Sequence, residues 1–202
     1  LGFINYDFPL KKHAKSPQSL LSHLKINTDE VYGPLRDYTS YRKIFERLIR
    51  YWECRPMDSA GHTVVSPADS RVLPGSFCER TSLFIKEKLF SFTELIGADK
   101  PRWLDVFDKG DYAVFRLTPD KYHYNHAPVS GRVLDIYEIS GRFHSCNPGA
   151  VVRSVTPYSK NRRVVTIIDT DVEGGSGVGK VAMVEIVALM IGRIVQRYSR
   201  ER

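Results

Sequence analysis

The chain has 202 residues, 42% of them hydrophobic and 26% charged, which predicts a globular protein of one domain with an appendage. Its 30 basic and 23 acidic residues give a net charge of +7, which favours an anionic partner, either nucleic acid or an anionic membrane surface. The three cysteines are far apart and form no CxxC pair, which excludes a disulfide framework and a structural zinc site.

The N-terminal part of the chain is predicted to be helical. Ser16-Pro17 is typical of a helix start, with the three leucines between residues 20 and 24 on one face. A second helix is predicted from Thr39 to Trp52, because apolar residues recur there at helical spacing. Two interpretations of this helix stay open: it packs on its own domain, which we favour, or it lies on a membrane surface. The second rests on its basic residues, which are Arg42, Lys43, Arg47 and Arg50.

From His62 onward, the sequence changes to short runs of β-branched and aromatic residues that are separated by turn residues. A capping-box pattern at Ser91–Glu94 predicts a short helix that ends at Gly97. The fold class is therefore α+β: a helical N-terminal part, residues 1–57, followed by a mainly antiparallel β core, residues 58–202. The predicted strands are His62–Ser66, Ser82–Ile85, Tyr112–Leu117, Val129–Ile139, Ala150–Val155, Val164–Thr170 and Val181–Ile194.

Two histidines follow the predicted strand at residues 112–117. His123 and His126 lie three residues apart in a segment bounded by Pro119 and Pro128. Because histidine titrates near neutral pH, two imidazoles at a strand end are suited to proton transfer. A turn with two structural histidines is the alternative. The bend at Ser66–Asp69 leaves a similar choice, because its aspartate can hydrogen-bond its own backbone or orient a histidine.

A glycine-rich stretch, Gly174–Lys180, satisfies the G-x4-G-K pattern of a phosphate-binding loop. The hydroxyl residue that such a loop uses to hold magnesium is missing, because Val181 follows the lysine. The strand predicted after it also leaves no helix N-terminus to hold a phosphate. We therefore predict a mobile turn between two strands and no nucleotide site.

Several of these segments together resemble the phosphatidylserine decarboxylase family. Ser66–Ser70 is similar to that family's SPADG segment, and Phe115–Pro128 is similar to its FRL-x-P-x-DYH-x-x-H-x-P segment. Two departures, Ser70 for a glycine and Lys121 for an aspartate, remove no group with a chemical role. The resemblance covers roughly residues 38–198, and further segments that fit in the family's order are Arg55-Pro56, Asn161–Val165 and Val181–Val184 with Gly192.

The resemblance implies a self-processing enzyme that decarboxylates phosphatidylserine to phosphatidylethanolamine in phospholipid biosynthesis. A serine of the proenzyme becomes a covalent pyruvoyl group, the cofactor, on a small second chain. By position, Asp69 matches the relay aspartate and His126 the relay histidine of self-cleavage, while His123 matches the histidine of the decarboxylation step. Tyr122 and Gly177 are the candidate substrate-binding residues, and no metal is expected.

The resemblance also implies partners and a location. The partners are the phospholipid substrate, an anionic membrane surface and the small pyruvoyl-bearing chain, without nucleic acid, and a homodimer stays open. The protein is expected to be a peripheral membrane protein that faces the cytoplasm. The serine is expected beyond Arg202, because Ser176 precedes the last predicted strand and the family's serine follows it. Both ends are expected to be cuts in a longer protein, so this chain alone should be inactive.

Two alternatives stay open beside this assignment. The first is a pyruvoyl-dependent decarboxylase of a soluble amino acid, such as an aromatic one, because one fold can host several substrates. The second is a non-catalytic protein that keeps the fold and binds a membrane surface through its basic residues. No signal peptide is expected, and no apolar run reaches the ~18–20 residues that span a bilayer.

Overall fold

The computed structural model describes residues 17–58, 60–78, 82–85, 88–145, 157–189 and 191–198. Its contacts divide the chain into two compact units. The first unit comprises Leu1–Leu73 and Val114–Pro128, and the second comprises Pro74–Ala113 and Val129–Arg202. The predicted α+β class is confirmed, because short helices dominate the N-terminal part and antiparallel sheets dominate the part after it.

The first unit begins with short helical elements around a small apolar core. Helix α1 spans Pro17–His23, and of the leucines predicted to share one face, Leu21 is fully buried and Leu24 packs against the core. Short 3₁₀ turns follow at Thr28–Glu30 and Leu35–Asp37. Helices α2 and α3 span Tyr41–Phe45 and Tyr51–Cys54. The core residues are Leu21, Ile26, Val31, Tyr38 and Ile44, with Leu24 and Leu35 packed against them.

The single helix predicted from Thr39 to Trp52 is wrong. Helix α2 stops after five residues, and Ile49 instead forms an isolated antiparallel bridge with Val31. The guanidinium of Arg47 is buried and donates to two backbone carbonyls, one of them that of Asp120 in a distant segment. The helical spacing of the apolar residues therefore does not mark one helix face, because helix α2 and the bridge at Ile49 bury them separately. Since Arg47 lies inside the unit, it cannot belong to a basic surface.

Within the described residues, the strands form three sheets. The strands are β1 (Arg71–Ser76), β2 (Ser82–Ile85), β3 (Lys88–Ser91), β4 (Asp111–Arg116), β5 (Arg132–Ile139), β6 (Arg163–Asp169) and β7 (Lys180–Ile186). Strand β1 pairs with β4, and β2 pairs antiparallel with β3. Strands β5, β6 and β7 form an antiparallel sheet with β6 in the middle.

The core of the second unit lies where helices pack on the middle strand β6. It consists of Ile96, Trp103, Val165 and Ile167, and the helices are α4 (Phe92–Ile96) and α5 (Pro101–Phe107). A further helix, α6 (Pro157–Lys160), contacts α4 and β3. The sequence patterns did not predict α5. This helix begins with Pro101 at its first position, where the missing N–H costs no hydrogen bond. It buries Trp103, whose indole donates to Asp135 on β5 at 2.9 Å.

Most of the strand predictions for the second unit are confirmed. Strands β2, β5 and β6 lie where they are expected, with ends that differ by a few residues. The capping pattern is also confirmed, because the Ser91 side chain accepts from the Glu94 amide and Gly97 ends α4 at φ 113°. The last strand is shorter than predicted, since β7 ends at Ile186. The strand predicted at residues 150–155 lies outside the described residues.

Candidate active site

Two backbone hydrogen bonds join the SPAD segment to the two-histidine segment. The Val65 amide donates to the Pro128 carbonyl, and the His126 amide donates to the Pro67 carbonyl, both at 2.8 Å. The register is antiparallel, but both acceptors are prolines, which have no N–H to donate in return. The segment His62–Ser66 therefore lies beside the histidines without forming a strand, and the strand predicted there is wrong.

Asp69 lies in the bend after Pro67, with its side chain 21% exposed. Its Oδ2 atom accepts a hydrogen bond from the Arg55 guanidinium at 3.3 Å. Arg55 also donates to Glu30 at 3.0 and 3.3 Å, so its charge is shared between two carboxylates. Although partial burial acts to lower it, the pKa of Arg55 is raised above its usual value by these two partners. Asp69 is thus held in a three-residue ion-pair network.

His123 is a partly buried histidine that is uncharged at neutral pH. Its ring lies against Phe45 with the ring centroids 3.8 Å apart, and its Nδ1 atom is 2.8 Å from the Lys121 carbonyl. Because a carbonyl can only accept, Nδ1 carries the proton and Nε2 keeps its lone pair. Burial lowers the pKa of His123 to about 4, and the Arg47 cation acts in the same direction. The imidazole therefore presents Nε2 as a proton acceptor.

His126 lies among aromatic rings. Its ring centroid is 4.7 Å from that of Tyr51 and 5.8 Å from that of Tyr122. Burial lowers the pKa of His126, so its neutral form prevails at pH 7. Burial also raises the pKa of Tyr122 to about 12, so this phenol stays protonated. Among the described residues no side-chain hydrogen bond engages the His126 imidazole, which leaves it available as a base.

A cavity of about 230 Å³ opens beside Asp69. Tyr122, a candidate substrate-binding residue, forms part of its wall. Side chains of both charges line it, which suits a polar occupant and disfavours an apolar one. The charged residues are Lys25, Arg47, Arg55 and Lys121 on the positive side and Glu30, Asp69 and Asp120 on the negative side.

In the second unit, the glycine-rich stretch is the turn between β6 and β7, as the sequence predicts. Strand β7 begins at Lys180, so no helix follows the turn. Gly177 adopts φ 66°, a left-handed conformation that favours glycine. The five consecutive amides of residues 175–179 all donate within the protein, to Val172, Ser130, Asp171 and, twice, Thr170. A phosphate-binding loop needs free amides, and these five amides are already used within the protein.

Two further classes of site find no support in the described ranges. No group of three or more His, Cys, Asp or Glu side chains is arranged there to hold a metal ion. No helix in that part of the chain has the length and apolar character needed to cross a bilayer. The candidate site is accordingly built from the Asp69 network and the aromatic-flanked histidines.

Comparison with known proteins identifies the family. A family model described as phosphatidylserine decarboxylase matches residues 42–202. The chain belongs to the phosphatidylserine decarboxylase family. Among its relatives, phosphatidylserine decarboxylase proenzyme 2 of Oryza sativa subsp. japonica is 37% identical over 84% of this chain. The phosphatidylserine decarboxylase proenzymes of Fusobacterium nucleatum subsp. nucleatum and Chlamydia muridarum are 30% and 32% identical over 90% and 87% of it. The chain covers 27%, 58% and 56% of these three relatives' lengths.

The sequence patterns of this family member point to Asp69 and the histidines but not to their neighbours. Phe45 is predicted to belong to a longer helix and instead covers His123. Arg55 lies 14 residues before Asp69, but it follows the end of helix α3 and Asp69 precedes the start of β1, so no helical or strand period relates the two. The Arg55-Pro56 pair is the one sequence signal that includes Arg55. Glu30, which completes it, carries no signal at all.

Proposed function

We propose that this family member is the larger part of a self-processing, pyruvoyl-dependent phosphatidylserine decarboxylase that forms phosphatidylethanolamine at a membrane surface. The observation that carries this proposal is the backbone pairing that sets His126 beside Pro67 of the SPAD segment. Membership of the family supports the reaction, and the relatives' names as proenzymes support self-processing. The small pyruvoyl-bearing chain from the same proenzyme is its partner.

In this proposal His126 and Asp69 serve self-cleavage. A serine of the proenzyme, which we place after Arg202, attacks the carbonyl of the residue before it and gives its hydroxyl proton to His126. The C–N bond then breaks, the departing nitrogen takes the proton back from His126, and an ester replaces the peptide bond. Elimination of this ester releases the larger chain as a carboxylate and so separates the two chains. The lowered pKa of His126 supports this role, because a base must start unprotonated. Asp69 orients the imidazole and stabilises the positive charge that it gains. The chain needs that serine-bearing segment for activity.

His123 and Tyr122 serve the decarboxylation step. When bound, the pyruvoyl group supplies an electron sink for the electrons of the bond to CO2. The Tyr122 phenol fits such a neutral carbonyl group, because it stays protonated and can donate a hydrogen bond to the carbonyl oxygen. An anionic substrate nearby favours the imidazolium, so its arrival lets His123 take up the proton that the product carbon receives. Gly177 remains a candidate for close contact with substrate, since glycine has no side chain to keep a ligand away from the backbone.

An exposed apolar cluster, Tyr32, Leu48 and Trp52, supports contact with a membrane surface. Tyr32 and Trp52 are 55% and 53% exposed, and their ring centroids lie 5.9 Å apart. Leu48 is 41% exposed, and its carbonyl accepts from the Tyr32 amide at 2.9 Å. Aromatic side chains favour the membrane–water interface, and the exposed Arg42 and Lys43 add attraction to anionic lipid of the cytoplasmic leaflet. We therefore assign the membrane-facing role to residues 1–57.

The test uses the complete proenzyme. Asp69→Ala and His126→Ala are expected to stay uncleaved, whereas His123→Ala is expected to be cleaved yet to release little CO2. Intact mass follows cleavage, and CO2 release from phosphatidylserine vesicles follows turnover. His23→Ala, which removes an exposed histidine at the end of α1, is the control. Normal cleavage of both relay variants contradicts the proposal.

The same assay distinguishes the lipid from a soluble substrate. Release of CO2 from phosphatidylserine vesicles alone supports the proposed reaction. Release from a soluble aromatic amino acid, with none from the vesicles, supports the alternative that the sequence leaves open. Activity on neither substrate, in protein that binds vesicles, supports the non-catalytic alternative.

A further inference from the structure

Three charged side chains from three separate elements meet in the first unit. Glu30 ends a 3₁₀ turn, Arg55 follows helix α3, and Asp69 lies in the SPAD bend. Their side chains are 25%, 38% and 21% exposed, so all three are partly shielded from water. Partial burial strengthens their interaction, because the effective dielectric constant is lower there than in bulk water.

Contacts other than the one with Asp69 hold the Arg55 guanidinium in place. Its Nη1 atom donates to the Cys54 carbonyl at 2.7 Å and to Oε1 of Glu30 at 3.3 Å. Its Nη2 atom donates to Oε2 of Glu30 at 3.0 Å and to Oδ2 of Asp69 at 3.3 Å. Such a two-point contact with Glu30 sets the plane of the guanidinium and therefore the direction of the remaining bond.

The contact with Arg55 occupies only one oxygen of the Asp69 carboxylate. The other oxygen, Oδ1, has no hydrogen-bond partner in the part of the chain that the structure describes. An aspartate that orients a histidine uses one oxygen for the imidazole N–H, and it works only if the carboxylate itself is held in place. The observed arrangement holds Oδ2 and leaves Oδ1 for that purpose.

We propose that Arg55, itself oriented by Glu30, is a positioning residue for self-cleavage that acts through Asp69. This inference rests on the proposed role of Asp69 in the relay. The charges support it: two carboxylates and one guanidinium leave a net charge of about −1, which stabilises a positive imidazolium. Arg55 with Asp69 alone would be neutral, so Glu30 supplies the charge as well as the orientation.

The test compares Arg55→Lys with Arg55→Met in the complete proenzyme. Lysine and methionine have similar unbranched stems, and both lose the two-point contact with Glu30, so they differ chiefly in charge. Arg55→Met is expected to slow self-cleavage roughly 10- to 100-fold. Arg55→Lys keeps a cation beside Asp69 but loses the two-point contact with Glu30, so its rate is expected to lie between those of Arg55→Met and the parent. Equal rates for the two variants overturn the proposal, because only Arg55→Lys keeps a cation that can hold the Asp69 carboxylate.

Two further variants complete the test. Glu30→Gln keeps the shape of the side chain and removes its charge, and it is expected to slow self-cleavage roughly tenfold. Arg162→Met removes an exposed ion pair with Glu138, 2.7 Å long, in the second unit and should leave the rate unchanged. An unchanged rate in Glu30→Gln removes Glu30 from the proposal even where Arg55→Met does not fold.

Failure of this inference can be told apart from failure of the proposed function. Asp69→Ala is measured in the same series. If Asp69→Ala is cleaved normally, the relay assignment itself is wrong, and the role of Arg55 falls with it. If Asp69→Ala stays uncleaved while Arg55→Met is cleaved at the parent rate, only the positioning role of Arg55 is refuted.

Discussion

Removal of the His123 imidazole should flatten the dependence of stability on pH. Burial lowers the pKa of His123 from 6.5 to about 4 in the folded protein, so the unfolded chain binds its proton more tightly. The folded state therefore loses stability as the pH falls from about 6.5 towards 4. A shift of this size corresponds to roughly 3 kcal/mol in full, of which about 2 kcal/mol is lost between pH 7 and pH 5.

The assay is chemical denaturation of the full-length protein and of its His123→Gln variant at both pH values. The free energy of unfolding should fall between pH 7 and pH 5 by about 2 kcal/mol more in the parent than in the variant. His126, whose pKa burial also lowers, titrates in both proteins and cancels in the comparison. His23→Gln, which removes an exposed imidazole, is the control.

A second perturbation tests the cause of the shift. Phe45→Ala uncovers the ring that lies 3.8 Å from Phe45, so water reaches the imidazole and its charged form becomes less costly. The pKa of His123, followed by its NMR ring resonances, should rise from about 4 toward 6.5. An identical pH dependence in parent and His123→Gln would refute the burial argument. So would a His123 pKa in Phe45→Ala that equals the parent value.

The glycine turn and the exposed apolar cluster allow three further tests. Gly177 adopts φ 66°, so Gly177→Val should cost about 1–2 kcal/mol of stability, whereas Gly177→Asn should be tolerated. Equal melting temperatures for the two variants would contradict this. Calorimetry with ATP and magnesium should show no binding, and micromolar binding that Lys180→Ala abolishes would revive a phosphate site. Trp52→Ala together with Tyr32→Ala should reduce flotation with anionic liposomes, and unchanged flotation would separate this cluster from the membrane.

Short sequence patterns predicted the elements that depend only on neighbouring residues. The Ser91–Glu94 capping box depends on residues within one turn of each other, so its sequence is sufficient. The helix predicted from Thr39 to Trp52 is wrong because helical spacing does not reveal which residue is hydrogen-bonded to a distant segment. Arg47 donates to the carbonyl of Asp120, which lies 73 residues away, and no pattern within the segment carries that information.

The candidate site shows the same limit at the level of function. The family motifs named Asp69, His123 and His126, because each motif is a short run of residues. Their surroundings come from remote parts of the chain, since Glu30 and Phe45 reach them only after folding. The strand predicted at His62–Ser66 failed for a related reason: its partner segment ends in Pro128, which can accept but cannot donate.

The proline acceptors also make the pairing of the two motifs measurable. An ordinary antiparallel pair exchanges two hydrogen bonds, whereas the pairs Val65–Pro128 and Pro67–His126 each have one. Separation of the motifs therefore breaks two hydrogen bonds and exposes the amide hydrogens of Val65 and His126 to exchange with solvent. Deuterium uptake at these two amides would report how often the arrangement opens. It would distinguish a variant that has lost a reactive group from one in which the two motifs no longer pair.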